Sequence, residues 1–191
     1  VGINVFREVL ANRSLQLNNS LSVLSADFGF KRAIATGESD TILSVLENHG
    51  SRIGADAAIL LSPDGKLISS SIAGLDKADI DALSELTDSM NDGGAARILS
   101  FDNASYQFVM QPVKAPTLIA WVGMGFVMDR QVAQQAKAIT GVEVSFINKD
   151  SDGRFALQST LDATSQSALL SQLNRLPELS REAAEGFPAH Y

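Results

Sequence analysis

Few side chains in this sequence are suited to acid–base or nucleophilic chemistry. There are two histidines, His49 and His190, and no cysteine. Without cysteine there is no disulfide, no thiolate nucleophile and no zinc site of the cysteine type. His49 sits in a helical pattern between Asn48 and Gly50 and reads as a surface residue, while His190 stands in a Pro- and Glu-containing tail. The many serines include no Gly-x-Ser-x-Gly elbow and none paired with a positioned histidine, and no Walker loop or Gly-x-Gly-x-x-Gly turn follows a strand. Asn148-x-Asp150-x-Asp152-Gly153 imitates the opening of a calcium loop. Its last ligand position, which calls for a bidentate carboxylate, is Ser159, and its flanks read as strands. Asp76, Asp79 and Asp81 read as the first turn of a helix, where the macrodipole favours negative charge. The expectation is a protein without catalysis, metal or cofactor.

The remaining candidates are aromatic. Lys114-Ala115-Pro116 separates two apolar runs, 105–113 and 117–127, which are expected to pair as an antiparallel hairpin. With the turn centred on Ala115-Pro116, Val113 faces Leu118. Tyr106, Phe108 and Met110 then share a sheet face with Trp121, Gly123 and Gly125. Large aromatics opposite glycines either fill the core or leave room for something to enter.

The elements that position these residues follow a pattern that occurs twice. GADAAILLSPDGKLISSSIAGLDKADIDAL, from Gly54 to Leu83, is echoed by GVEVSFINKDSDGRFALQSTLDATSQSAL, from Gly141 to Leu169. Each copy has a glycine closing a helical run, an apolar strand, an Asp-Gly turn, a second strand, and Leu-Asp opening a helix. Asp64-Gly65 and Asp152-Gly153 read as type I′ hairpin turns, in which both central residues have positive φ. The order is helix 41–53, strands 57–61 and 66–71, helix 76–90, strands 96–101, 105–113 and 117–127, helix 129–140, strands 142–148 and 154–160, and helix 162–176. The fold class is α+β. A first unit, 37–128, carries one five-stranded antiparallel sheet with helices against it; a second, 129–191, is smaller or partial.

Residues 1–36 read as a stem. Ile3, Phe6, Leu10, Leu17, Leu24 and Phe28 form a heptad stripe, with Arg13 and Ser20 at its two remaining positions. A helix over 3–28 is about 39 Å long at a rise of about 1.5 Å per residue. It either packs along its own domain or forms a parallel homodimer stem continuing into a membrane anchor, and the two readings are compatible. Val1 opens inside the helical pattern, so a preceding segment is expected.

Net charge is −7 with a pI near 4.7, and no basic run is present, which disfavours nucleic acid and anionic membrane surfaces as partners. The longest strongly apolar run, Leu118 to Met128, falls short of the about 20 residues that span a bilayer. Any membrane attachment belongs to helices outside this chain.

The run DFGFKRAIATGESDTILSVLENHGSRIGADAAILLSPDGKLISS, Asp27 to Ser70, resembles the double Cache extracytoplasmic sensor domain, a tandem PAS-like architecture of bacterial transmembrane receptors. AQQAKAITGVEVSFINK, Ala133 to Lys149, is similar to the start of that family's membrane-proximal lobe. The resemblance implies a periplasmic input domain that binds a small-molecule signal in its distal unit, with a diguanylate cyclase, histidine kinase or chemoreceptor output elsewhere. The ligand would lie between one sheet face and a cover formed by 72–95. Tyr106, Phe108 and Trp121 would supply aromatic walls, and Arg97 and Asp102 charge. The Arg-x-Trp-Tyr signature of amino-acid-binding members is absent: Val122 follows Trp121, and no arginine lies two residues before it. The rival expectation is an interaction module that relays a partner's docking without a small ligand.

Overall fold

The computed structural model describes residues 2–91, 96–101, 104–149 and 153–175. Two compact units emerge, each discontinuous in sequence: Asn12–Arg97 with Gln107–Val127, and Val1–Ala11 with Ile98–Tyr106 and Met128–Tyr191.

Helix α1 spans Gly2–Ala26 and α2 spans Phe28–Thr36, so the stem is two helices rather than one. Asp27 causes the break. Its backbone is extended (φ −65°, ψ 128°), and its carboxylate accepts the Phe30 N–H at 2.7 Å, capping α2. Phe28, expected on the buried stripe, is 79% exposed. The rest of the stripe within the first unit is spent on that unit's own core, since Leu17, Leu21 and Leu24 are buried there. Arg13 tolerates a stripe position because its guanidinium lies 5.2 Å from the centre of the Phe126 ring. On the flank of α1, the Gln107 amide donates to Ser14 Oγ at 2.7 Å and the Gln111 amide to Asn18 Oδ1 at 3.0 Å.

Helix α3, Ser39–Ile53, ends at Gly54, whose φ of 70° satisfies the left-handed cap that a side chain would strain. Strands β1 (Ala57–Leu61) and β2 (Leu67–Ser70) form a hairpin, followed by α4 (Lys77–Asn91), β3 (Arg97–Phe101), β4 (Ala104–Lys114) and β5 (Leu118–Val127). The sheet order is β2-β1-β5-β4-β3, with β1 antiparallel to both neighbours and Ile59 opposite Gly123. Every residue of β1 is buried, as expected of a strand covered on both faces. Ala58, Leu60, Val109, Val113, Val122, Met124 and Phe126 face Leu17, Leu21, Leu24, Phe30, Ile42 and Leu46 in one apolar cluster.

The β1–β2 turn differs from the type I′ expectation. The observed turn is centred one residue earlier, on Pro63 and Asp64, and the negative φ that the proline ring fixes suits its first central position. Gly65 N–H bonds Ser62 O at 3.0 Å and Ser62 N–H bonds Lys66 O at 2.8 Å, with Gly65 left-handed at φ 78°. A turn over 62–65 closed by a left-handed glycine forms a three-residue loop.

Asp64, at the tip of that loop, accepts from Lys66 Nζ at 2.7 Å and from the Ser62 hydroxyl at 2.5 Å. These bonds, that from Lys66 first, hold its carboxyl down at about 2 from the usual 3.8. The sign follows from linkage: an acid depressed in the folded state contributes above its unfolded value and loses that contribution as pH falls through about 2. Lys66→Ala is expected to raise the Asp64 midpoint toward the ordinary carboxylate range in a side-chain NMR titration. An unmoved midpoint would show that the hydroxyl alone sets it.

The second unit repeats the local pattern. Helix α5, Arg130–Thr140, is capped by Asp129 and ends at Gly141 with φ 70°; β6 (Ser145–Lys149) and β7 (Phe155–Ser159) pair antiparallel; α6 (Ala163–Leu173) is capped by Asp162. Gly153 takes φ 79°, matching Gly65 at 78°. Strand β6 starts at Ser145 rather than Val142, which is 51% exposed. Leu10, Met128 and Val132 form this unit's small apolar cluster, with Phe6 and Phe146 against it at a ring separation of 6.1 Å.

Candidate functional site

Alternation along β5 puts Trp121, Gly123 and Gly125 on one face. The two glycines make hollows there, and the first unit fills both from within. A Cβ on Gly125 would lie 2.7 Å from the Phe108 ring, and one on Gly123 would meet Met110 Sδ and, at 2.8 Å, Ile59 Cγ1. Phe108 and Met110 are fully buried, and Trp121 is 3% exposed. Helix α4 approaches the β1–β2 turn, where a Cβ on Gly65 would run into Ser84 Oγ. The structure thus places Phe108 and Met110 in those hollows.

The other candidates are distributed differently. Tyr106 is half-buried in the second unit, its ring 6.2 Å from that of Phe101 and tilted by 30°. Arg97 is exposed on β3. Asp102 lies outside the described residues, as do His190, Asp150 and Asp152. Asn148, the first residue of the calcium-loop imitation, is buried on β6 and accepts from Ser105 Oγ at 2.9 Å. Ser159, at the position a carboxylate should hold, is 2.6 Å from Ser145 Oγ. Among the described residues no group of three His, Asp or Glu side chains is placed to hold a metal ion.

Among the described residues, the fully buried polar side chains are serine, threonine, glutamine and asparagine, and one guanidinium nitrogen of Arg13 is buried over the Phe126 ring. Shifted carboxyls lie outside the buried interior. Partial burial in the first turn of α4 raises Asp79. A bond from Lys137 Nζ at 2.5 Å, helped by the Thr160 hydroxyl, lowers Glu143. The Ser165 N–H lowers Asp162 at its helix cap. Each shift belongs to a cap or a surface pair. Among the described residues, no helix is long and apolar enough to cross a membrane.

A long helix followed by two sheet-and-helix units, one with a five-stranded antiparallel sheet, defines a tandem PAS-like sensory module. The chain belongs to the double Cache family described as the double sensory domain of two-component sensor kinases, which matches residues 1–185. Among solved structures, it shares its fold with the periplasmic domain of Vibrio cholerae LuxQ: the TM-score is 0.59 at 12% identity, over 84% of this chain and 78% of that one. No curated protein matches the sequence significantly. The chain is a sensing input domain.

Proposed function

We propose that this domain is the extracytoplasmic input of a membrane-bound receptor, with 37–128 distal and 129–191 proximal to the membrane, acting as a homodimer through α1. A small molecule binds the first unit on the sheet face bearing Phe108 and Trp121 and favours one of two arrangements of the receptor. The shift is bounded by the ligand's differential affinity for the two states. Tyr106 belongs to the other unit and Asp102 lies outside the described residues, so the proposal rests on Phe108 and Trp121, with exposed Arg97 available only at the rim.

The supporting observation is that, among the described residues, no charged side chain is buried on the sheet face bearing Phe108 and Trp121, in a chain whose family is sensory. An ionised ligand group buried there would meet no countercharge among the described residues, at a cost of several kcal/mol (about 2–7 even for a neutral polar group left unpaired). The ligand class is therefore uncharged and largely apolar, rather than an amino acid, a carboxylate or a polyamine. A thermal-shift screen against panels of both kinds tests this. A true ligand at 100 times its Kd adds about 2.7 kcal/mol of stability, and Trp121→Phe should weaken that response. Stabilisation by charged compounds alone would overturn the assignment of class.

The filling of both glycine hollows by Phe108 and Met110 favours a second reading, in which the domain relays the docking of a partner and binds no small molecule. Silence across both panels would select it.

A further inference from the structure

We propose that the solvent face of α2, centred on Phe28, is a docking corner for an acidic protein partner that brings an apolar socket ringed by carboxylates. The proposal rests on the second reading above, deepens it by naming the surface and the partner's chemistry, and needs no small molecule. Phe28 is 79% exposed, the highest value among the large apolar side chains of the described residues. Local chemistry puts it there. The Asp27 carboxylate takes the Phe30 N–H at 2.7 Å and starts a new helix, so Phe30 turns inward and is fully buried while Phe28 turns out. A Cβ on Gly29 would stand 3.1 Å from Oδ1 of that carboxylate, so a glycine between the two phenylalanines suits the cap. Steps of four and three then carry the exposed face through Arg32 and Ala35, with half-buried Lys31 on its flank, while Phe30 and Ala33 hold the opposite face in the core.

Charge decides what covers it. Arg7, Arg13, Lys31 and Arg32 outnumber Glu8 and Asp27 over residues 1–37, although the chain's net charge is −7. Among the described residues neither Lys31 nor Arg32 makes an ion pair, and the Asp27 carboxylate is committed to its cap. An exposed phenylalanine with an arginine four residues on has the composition of an interface centre, where both types are enriched. The two cations are left for a partner's carboxylates, which would steer its approach and fix its orientation. A second copy of this chain is a poor occupant, because a two-fold contact would set Lys31 and Arg32 against their own images. An anionic lipid surface is a poor one too. Two cations fall short of the about 4–8 that mark a lipid-binding cluster, and exposed Glu38 and Asp40 follow directly after the helix.

A labelled random copolymer of glutamate and tyrosine, acidic and aromatic in one chain, is the probe, with a lysine–tyrosine copolymer as its charge-reversed counterpart. Fluorescence anisotropy with the whole chain should show the glutamate copolymer binding at about 0.05 M salt and weakening at least about tenfold at about 0.5 M, where surface charges are screened. Phe28→Ala and Arg32→Glu should each raise its dissociation constant at least about tenfold, and Arg32→Glu should not weaken the lysine copolymer. Ile139→Ala, at a site 57% exposed in the second unit, should leave the glutamate copolymer's affinity unchanged. Phe28 and Arg32 both face solvent, so neither change should move the melting temperature by more than about 2 °C. Binding indifferent to both changes would overturn this corner while leaving a docking role standing elsewhere on the chain. No binding at all, or capture of phosphatidylglycerol vesicles through Phe28 in its place, would overturn the acidic partner. Neither result touches small-molecule binding, which the thermal-shift screen reads separately.

Discussion

Replacing Phe108 with alanine is expected to lower the free energy of unfolding by about 3–5 kcal/mol, read from urea titrations. The ring is fully buried and occupies the hollow above Gly125, so truncation leaves a cavity that neighbouring strands cannot close. Gly125→Ala in the parent sequence should cost about 1–3 kcal/mol, because its methyl would stand 2.7 Å from that fully buried ring. Combining the two should cost less than their sum by at least about 0.5 kcal/mol, as the methyl enters space the ring has vacated. Strict additivity would show that the ring and the glycine do not share that space. A melting temperature barely changed by Phe108→Ala would show the ring lining an open pocket instead, which would strengthen a ligand role for it.

The two faces of α1 predict the second large difference. Leu21→Ala should destabilise by about 2–5 kcal/mol, since Leu21 is fully buried among Leu17, Leu24 and the sheet. Val23→Ala, two residues on and 72% exposed, should change stability by no more than about 0.5 kcal/mol in the monomer. In a domain of this size each kcal/mol shifts the melting temperature by about 2–4 °C, so the pair is easily resolved. Equal effects would mean that the helix is rotated from the orientation described.

Much of the architecture was legible because local chemistry and tertiary structure agree. Gly54 and Gly141 mark helix ends by adopting the left-handed conformation that other residues resist. Asp129 and Asp162 mark helix starts by accepting the Val132 and Ser165 N–H groups. Strands β3 to β5 fall within one residue of their expected bounds because apolar runs and intervening breakers both point to them. The misses have equally local causes. The heptad runs on through Phe28, and periodicity cannot weigh that against one carboxylate turning back to cap its own chain at Asp27. Asp-Gly advertised a tight hairpin turn, yet Pro63 had already fixed the preceding φ.

The candidate site was legible only as far as alternation allows. Phe108 and Trp121 fall on the expected face, but sequence spacing cannot say whether an aromatic beside a glycine is a plug or a wall; that depends on the 2.7 Å approach to Gly125. Arg13 in the apolar stripe likewise made no sense until Phe126 lay beneath it.

The two amide bonds that tie α1 to β4 set a limit on how that helix can travel. Ser14 and Asn18 are separated by about 6 Å of helix rise, whereas Gln107 and Gln111 are separated by about 13 Å of strand. Two bonds bridging such unequal rungs, at 2.7 and 3.0 Å, leave no slack for axial sliding. Moving the helix by one residue would break both together, at a net cost of about 1 kcal/mol each. A longitudinal stroke of α1 therefore costs about 2 kcal/mol in these two bonds, comparable to what a modest binding event can deliver.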